Sequence, residues 1–295
     1  MKKKNKNELK VLKELEKDKK ELVLITNTVI KDIYTNIAES IEKELKMKGK
    51  NNFSERDLKK LEKKIKKELD KATHETKKNI IEAIKEITIK TIENNLNYYK
   101  EIDKKHNSKF FKYFSNKYKN VLEVVEDKII NGKLYKDNLN LSDRIWNSNR
   151  QNKKIINQII KDGLKNKENI YDIALKLEEF VKPDRFKITK GAEYNSLRLA
   201  KTSINHAQHQ AVIERAKNNK LITHIEWMSA HSSRVCPLCS QRDGKVFKKS
   251  DLPLDHPNGM CIIMEVQPEE EELIKILDDF DKSEYEDFDL FLDNY

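Results

Sequence analysis

The stretch RVCPLCSQRDGKVFKKSDLPLDHPNGMC, residues 234–261, differs in composition from the rest of the chain. It holds all three cysteines, two of the six glycines and three of the five prolines, together with His256. The residues before it are mostly Lys, Glu, Asn, Ile and Leu. Because Gly and Pro concentrated in one segment are typical of tight turns, we expect a small, turn-rich unit near the end of a long helical protein.

The cysteines and His256 follow the pattern C-x2-C-x16-H-x4-C. Cys236 and Cys239 can grip one metal ion from a tight turn that Pro237 helps to set, and His256 and Cys261 supply a second pair of ligands. Thiolate sulfur and imidazole nitrogen are ligands that zinc prefers in tetrahedral sites. Four protein ligands leave no open position, so the pattern predicts a structural Zn²⁺ site and no catalytic residue.

Three other interpretations of these residues remain open. The cysteines could be small buried apolar side chains, with His256 capping a turn. A redox C-x2-C pair is the second, although no βαβ pattern surrounds it. The third comes from Asp255-His256-Pro257, which resembles the metal-binding turn of His-Asn-His nucleases, with His256 as general base. That centre also needs a later helix with a metal-binding His or Asn, and after Cys261 the chain has no His and only Asn294.

Apolar residues at intervals of three and four predict two long amphipathic helices in the first part of the chain. The first covers about residues 7–46 and is broken at Gly49. Ser54 opens the second, with Asp57 three residues later as a capping box. Neither Gly nor Pro interrupts this second helix as far as Asp103. Two long helices joined by a short turn predict a helical hairpin.

The middle of the chain is also predicted to be helical. The aromatic stripe between residues 110 and 118 fits a core or partner interface better than a platform for stacking bases. His206 and His209 lie three apart on one helix face, and we interpret them as a solvated or core-edge pair rather than as metal ligands. The predicted helices here span 121–130, 142–163 with Ser142 as N-cap, 166–181 before Pro183, and 191–219.

Three short segments predict strands. In LITHIEWMS, residues 221–229, alternation places Thr223, Ile225 and Trp227 on an inward face with Trp227 as a core anchor. KVF (245–247) and CIIMEV (261–266) are the other two. The expected fold class is therefore mainly α with a small C-terminal α+β unit. It comprises a long N-terminal helical hairpin, a helical middle and a short zinc-knot-like sheet.

The charge is distributed unevenly along the chain. The formal net charge is +10, but residues 269–295 contain twelve acidic and two basic residues and so carry −10, leaving +20 on the remainder. This pattern fits a polyanion partner, or an acidic tail that screens the basic body, while solvated helix faces are the simpler explanation. No apolar run approaches the roughly 20 residues of a membrane span. No apolar segment follows the basic start MKKKNKNELKVL, so we expect no signal peptide.

From about Leu141 to Val266 the sequence resembles the phage Mu protein F-like head morphogenesis family. The elements that carry the resemblance are Arg198/Thr202 in a helix, Trp227/Ser229 in a strand, Cys236/Cys239 and Asp243/Gly244/Lys245 in turns, and His256/Pro257/Cys261 in the closing motif. Two positions depart from the family pattern. Gly259 stands where many members have the first cysteine of His-Pro-x-Cys-x-Cys, and Ser232 stands where many have Asp.

The resemblance implies a minor capsid protein of phage head morphogenesis, made in the bacterial host cytoplasm and found in the virion or prohead. Its implied partners are the portal protein, other head proteins and packaged double-stranded DNA. Candidate contacts with nucleic acid or a partner are Arg198, Lys201, Arg234 and Lys245. The alternatives are a His-Asn-His-like metal-dependent nuclease centred on His256 and a free-standing DNA-binding module.

We expect three regions along the chain. Residues 1–140 form an N-terminal long-helix region, residues 141–266 form the head morphogenesis domain, and residues 267–295 form an acidic C-terminal tail. The tail is either a partner-binding peptide or a screen against premature DNA binding. The expected division follows the limits of the resemblance and the change in charge.

Overall fold

A computed structural model describes residues 6–106, 109–182, 191–229 and 235–295. Along the chain, the described helices and strands are α1 (Lys6–Lys48), α2 (Glu55–His106), α3 (Phe110–Lys117), α4 (Val121–Ile129), α5 (Leu141–Lys165), α6 (Ile170–Val181), α7 (Ala192–Lys217), β1 (His224–Met228), α8 (Pro237–Arg242), β2 (Val246–Lys248), β3 (Ile262–Glu265), α9 (Glu270–Asp281) and α10 (Phe288–Asn294). The predicted fold class, mainly helical with a small C-terminal sheet, is confirmed.

The three strands form one antiparallel sheet in the order β2-β1-β3. Ile225 pairs with Phe247 of β2 on one side and with Glu265 of β3 on the other. Ile225 and Trp227 are fully buried, as the alternation predicts, whereas Thr223 is exposed and precedes the strand. Trp227 is thus the core anchor expected from the sequence.

The chain divides into two compact units. The first takes residues up to 22, 84–128 and 204–295, and the second takes residues 23–83 and 129–203. The sheet and the Cys/His segment belong to the first unit. The division into regions 1–140, 141–266 and 267–295 stays a prediction from the sequence.

The predicted break between the two long helices is confirmed in the second unit. Gly49 has a φ of 67°, a left-handed conformation that costs Gly little because it has no side chain. At the start of α2, the Ser54 amide donates to Asp57 Oδ2 at 3.2 Å and the Asp57 amide donates to Ser54 Oγ at 3.3 Å. This reciprocal pair is the capping box predicted from the sequence.

The predicted cap of α5 is wrong by two residues. The N-cap is Asn140, whose Oδ1 accepts from the Asp143 amide at 2.8 Å, while Asp143 Oδ2 accepts from the Asn140 amide. Ser142 lies inside the first turn, where its hydroxyl accepts from the Lys77 ammonium at 3.1 Å. Asn and Ser cap helices about equally well, so the acidic residue three positions after Asn140 decides between them.

The aromatic stripe is part of the core of the first unit, as its helical spacing favoured. Phe110, Phe114 and Tyr118 are buried, and Phe114 stacks on Tyr99 of α2 with ring centroids 4.3 Å apart. Phe111 is a member of the stripe that remains exposed. Buried rings have no face available to nucleic-acid bases, which contradicts the base-stacking interpretation for the three buried side chains.

The acidic C-terminal segment forms helices α9 and α10, which pack within the first unit. Their apolar faces bury Leu273, Ile276, Phe288 and Phe291. Phe288 meets Tyr113 of α3 edge to face, with centroids 5.1 Å apart. The apolar residues among the acids therefore give this segment a buried face despite its charge.

Candidate metal centre

Cys236 and Cys239 are arranged by the first turn of α8. Cys236 is the N-cap, Pro237 occupies the first turn, and the Cys239 amide donates to Cys236 Sγ at 3.3 Å. Pro suits this position because the first helical amides have no intrahelical partner. The C-x2-C spacing thus brings both sulfurs to one end of a short helix, and an amide donor stabilises the Cys236 sulfur as a thiolate.

His256 faces both of these sulfurs. Its Nε2 lies 3.3 Å from Cys236 Sγ and 3.1 Å from Cys239 Sγ. Its Nδ1 lies 2.9 Å from the Pro257 carbonyl oxygen. Because that oxygen can only accept, Nδ1 carries the proton and Nε2 offers its lone pair toward the sulfurs. A histidine that binds a metal through one nitrogen commonly donates from the other to such a partner.

Two groups of potential metal ligands share Cys239. One contains Cys236, Cys239 and His256, and the other contains Cys239, Asp255 and Cys261, with the ligand atoms of each group within 4.8 Å of one another. Elsewhere among the described residues, no further group of three such side chains meets this criterion. All four ligands predicted from the sequence therefore lie in this region, and Asp255 joins them as a donor that the spacing pattern did not indicate.

Asp255 is a buried carboxylate within this cluster. Its Oδ1 accepts from the His256 amide at 2.8 Å and its Oδ2 accepts from Asn205 Nδ2 at 2.7 Å. A Cβ placed on Gly259 would lie only 2.0 Å from Asp255 Oδ2. Glycine at position 259 is therefore what leaves room for this carboxylate.

Helix α7 holds the backbone of the segment 255–261. His206 Nε2 donates to the Asp255 carbonyl at 3.0 Å, and His209 Nε2 donates to the Cys261 carbonyl at 2.7 Å. Both imidazoles are almost fully buried, at 3% and 1% exposure. Each Nε2 is therefore engaged with a backbone carbonyl, and the pair lies in the core rather than at the solvated or core-edge position expected from the sequence. Their spacing on one helix face lets them hold both ends of the segment.

A buried lysine from α1 completes this network. Lys19 is fully buried, and its Nζ donates to Asn205 Oδ1 at 2.7 Å and to the Cys261 carbonyl at 2.5 Å. Asn205 thus bridges the Lys19 ammonium and the Asp255 carboxylate. A buried charge is tolerated where hydrogen bonds and opposite charge compensate for lost hydration.

The thiols differ in their tendency to ionise. The hydrogen bond from the Cys239 amide lowers the pKa of Cys236. Burial raises the pKa of Cys239 and that of Cys261, and the nearby Asp255 charge adds to both shifts. The bond to the Pro257 carbonyl raises the pKa of His256. A bound divalent cation would favour the thiolate form of each cysteine that coordinates it and would so oppose the upward shift caused by burial.

An apolar cluster lines one side of the centre. Cys239, Cys261 and Trp227 are buried there together with Val212, Ala216, Ile222, Ile225 and Ile263. The Arg242 guanidinium lies over the Trp227 ring, 5.0 Å from its centroid. The cluster excludes water from one face of the two thiols, and low local polarity strengthens metal–thiolate attraction.

The other elements of the resemblance have structural roles. Thr202 Oγ1 donates to the Arg198 carbonyl one helical turn earlier. Asp243 Oδ1 accepts from the Ser229 amide at 2.7 Å. Gly244 has a φ of 71°, and its amide donates to the Trp227 carbonyl at 2.8 Å. The Trp-x-Ser and Asp-Gly-Lys elements are therefore hydrogen-bonded to each other where β1 ends and β2 begins.

The candidate contacts for nucleic acid or a partner belong to different units of the chain. Arg198 and Lys201 belong to the second unit and Lys245 to the first, whereas Arg234 lies outside the described residues. Arg198 and Lys245 are exposed, and Lys201 is half-buried. Their proposed role remains a prediction. His231 and Ser232 also lie outside the described residues, as do Pro183 and the linker after it.

Comparison with known protein families gives a match inside the region that carries the resemblance, residues 141–266. Residues 153–262 match the family model described as Phage Mu protein F like protein. The resemblance predicted from the motifs is confirmed over this range. No curated protein and no solved structure matches the chain. The matched segment points to a role in phage head morphogenesis, and it contains the entire cluster of ligands from Cys236 to Cys261.

A structural head role fits a protein that is not an enzyme. Among the described residues, no helix is both long enough and apolar enough to cross a membrane.

Sequence reasoning missed Asp255 as a donor and Lys19 and Asn205 as its supports. The sequence Asp255-His256-Pro257 suggested only a nuclease-like turn with His256 as general base, and the C-x2-C-x16-H-x4-C pattern does not include Asp255. Nothing in the sequence indicated that Lys19 is buried.

Proposed function

We propose that the chain is a phage minor head protein that assembles with the portal and the other head proteins. The supporting observation is the match over residues 153–262 to the Phage Mu protein F like protein family. Among the described residues of that segment, the motif residues form hydrogen-bonded contacts between β1 and the start of β2 and a cluster of potential metal ligands. This arrangement suits a docking module better than an active site.

Quantitative mass spectrometry on gradient-purified heads and tailless proheads tests this proposal. We expect a few copies for each portal ring in one or both particles. Absence from both particles, with the protein free in the lysate, would contradict a head role. Major capsid protein measured in the same samples gives the internal standard for copy number.

We further propose that the cluster binds a structural Zn²⁺ ion through Cys236, Cys239 and His256, with the fourth position supplied by Cys261 or another nearby donor. Sulfur–nitrogen separations of 3.1 and 3.3 Å are close to the spacing that tetrahedral zinc imposes on its ligands. When bound, the ion would connect α8 to the segment before β3 and add its binding energy to folding. Metal analysis of the purified full chain should give about one zinc per molecule.

The nuclease alternative receives less support from this geometry. A general base needs a lone pair that can reach substrate, whereas His256 directs Nε2 at two sulfurs and Nδ1 at a carbonyl. We expect no magnesium- or manganese-dependent cleavage of double-stranded DNA. Cleavage that is present in the unchanged protein and lost in His256→Ala would support the nuclease instead.

Contact with packaged DNA is the remaining part of the proposal. Its support is the +20 charge outside residues 269–295, and Arg198, Lys201, Arg234 and Lys245 are the candidate contacts. Binding should weaken steeply as salt rises, because displaced counterions dominate such affinity. The double substitution Arg198→Gln and Lys201→Gln removes two positive charges and should make the DNA affinity less dependent on salt concentration. If the slope of log affinity against log salt concentration is unchanged, these two residues do not contact DNA.

A further inference from the structure

We propose that the fourth ligand of the metal ion is the carboxylate of Asp255, and that Cys261 remains a buried thiol outside the coordination sphere. This inference rests on the metal-binding part of the proposed function and does not depend on head assembly. It changes the expected donor set from three sulfurs and one nitrogen to two sulfurs, one nitrogen and one oxygen. Zinc accepts carboxylate oxygen alongside sulfur and nitrogen.

The separations between donor atoms carry the first step. Asp255 Oδ1 lies 3.8 Å from Cys239 Sγ and 3.9 Å from His256 Nε2. Tetrahedral zinc with bonds of about 2.0–2.3 Å holds its ligand atoms roughly 3.4–3.8 Å apart. The sulfur–nitrogen contacts are 3.1 and 3.3 Å. Asp255 Oδ1 therefore lies at nearly the required spacing from two of the three other proposed ligands, Cys239 and His256.

The carboxylate is also fixed in place, as a metal ligand needs to be. Asn205 Nδ2 holds Oδ2 and the His256 amide holds Oδ1, so the side chain has one orientation. Lys19 donates to the other end of the Asn205 amide and brings a positive charge to the network. Hydrogen-bonded supports of this kind orient a ligand toward the metal. The absent side chain of Gly259 provides the space, since a Cβ there would collide with Asp255 Oδ2.

Cys261 is placed differently. Its carbonyl oxygen is held by Lys19 and His209, and its side chain is packed in the apolar cluster with Trp227. Its sulfur groups with Cys239 and Asp255, whereas Cys236 and His256 form their own group with Cys239. Asp255 and Cys261 share the second group, and the carboxylate differs from Cys261 in its approach to His256 Nε2, at 3.9 Å.

X-ray absorption spectroscopy on the full chain loaded with zinc counts the sulfur ligands directly. We expect two sulfurs with two lighter donors. Three sulfurs would overturn the proposal while leaving the zinc centre intact, and absence of bound metal would overturn both. Particle mass spectrometry tests the head role separately, so failure of that role leaves this result unaffected. The count uses the unchanged protein, so a variant that fails to fold does not affect it.

A matched pair of variants provides the second measurement. Asp255→Asn keeps the shape of the side chain and removes the anionic ligand, so zinc affinity in a chelator competition should fall by about tenfold or more. Cys261→Ala should bind within about threefold of the unchanged protein. In the cobalt-loaded protein, sulfur-to-cobalt charge-transfer absorption should be the same in Cys261→Ala as in the original. A loss of one third of that intensity in Cys261→Ala would overturn the assignment.

Discussion

The first half of α2 and the second half of α7 are both buried helical surfaces, but they bury different chemistry. Between Glu55 and Ala83, α2 buries a repeating face of Leu, Ile, Ala and Thr. Between Ile204 and Ala216, α7 is buried on almost every side, and more than half of what it buries is polar. These buried polar side chains are Asn205, His206, Gln208, His209, Gln210, Glu214 and Arg215.

The difference lies in how specific each buried contact is. An apolar side chain on α2 gains from any well-packed neighbour. A buried polar side chain on α7 needs a particular partner: Gln208 donates to the Leu15 carbonyl, and both Gln210 and Glu214 accept from Lys128. A buried polar group that loses its partner costs about 1–3 kcal/mol, so each such contact favours the one arrangement in which the partner is present. The region of α7 therefore specifies one arrangement of distant chain segments around the metal cluster, whereas α2 specifies a long amphipathic helix.

The largest effect should come from Trp227→Ala in the cluster beside the metal centre. Trp227 is fully buried, and truncating a buried aromatic side chain costs about 3–5 kcal/mol. Urea unfolding followed by Trp146 fluorescence and by far-UV circular dichroism would measure the loss. Trp146 belongs to the second unit, so a dichroism change without a fluorescence change would show that the units unfold separately.

The next effect compares two neighbouring lysines. Lys19→Met removes the donor for Asn205 Oδ1 and one of the two donors to the Cys261 carbonyl, which keeps His209. Leaving the buried Asn205 oxygen unpaired should cost about 1–3 kcal/mol. Lys20→Met is the matched control, because Lys20 is exposed and pairs with Glu16 one turn away. The control should change stability by less than about 0.5 kcal/mol. Equal losses from both substitutions in urea unfolding would show that Lys19 is not a specific contact.

A conservative change on α2 should have a smaller effect. Ile65→Val removes one buried methylene group from the repeating apolar face, and such changes cost about 0.5–1.5 kcal/mol. Thermal unfolding of the full chain, with Trp146 fluorescence as the probe, measures it. If the free energy of unfolding fell by more than about 3 kcal/mol, the apolar face of α2 would depend on particular contacts as strongly as the polar side chains of α7 do.

The smallest effect concerns pH and α10. Burial alone would raise the pKa of Asp289, but hydrogen bonds from Lys117 and Tyr113 outweigh it and hold the pKa below its ordinary value. A carboxyl group with a lowered folded-state pKa contributes stability above its unfolded pKa of about 3.9, and this contribution is lost as the pH falls through the folded value.

Acidification should therefore release α10 before the rest of the first unit unfolds. Hydrogen exchange of residues 288–294, measured at pH 6 and at successively lower pH, would detect the release. In Asp289→Asn the same helix should exchange faster at pH 6 and show less dependence on pH. Equal pH dependence in the two proteins would exclude Asp289 as the titrating group.

Much of this protein follows from its sequence because the relevant rules are local. Helix periodicity predicted α1, α2 and the hairpin turn at Gly49, since residues three and four apart share a face whatever surrounds them. The C-x2-C and His-x4-Cys spacings indicated the candidate ligands Cys236, Cys239, His256 and Cys261 for the same reason, as the members of each pair are close in the chain. The N-cap of α5 shows a limit of these local rules. Asn and Ser are about equally favourable as N-caps, so cap preference alone does not distinguish Asn140 from Ser142.

The tertiary structure alone decided which distant groups surround the metal centre. Lys19, Asn205 and Asp255 come from three remote parts of the chain and form one hydrogen-bonded line. No spacing rule links them, because their proximity depends on how α1, α7 and the segment before β3 pack within the first unit. In the sequence, Lys19 looks like every other solvated lysine on a charged helix. Its burial, and with it the placement of Asp255 among the potential metal ligands, arises only when the packed core removes water and makes an unpaired charge costly.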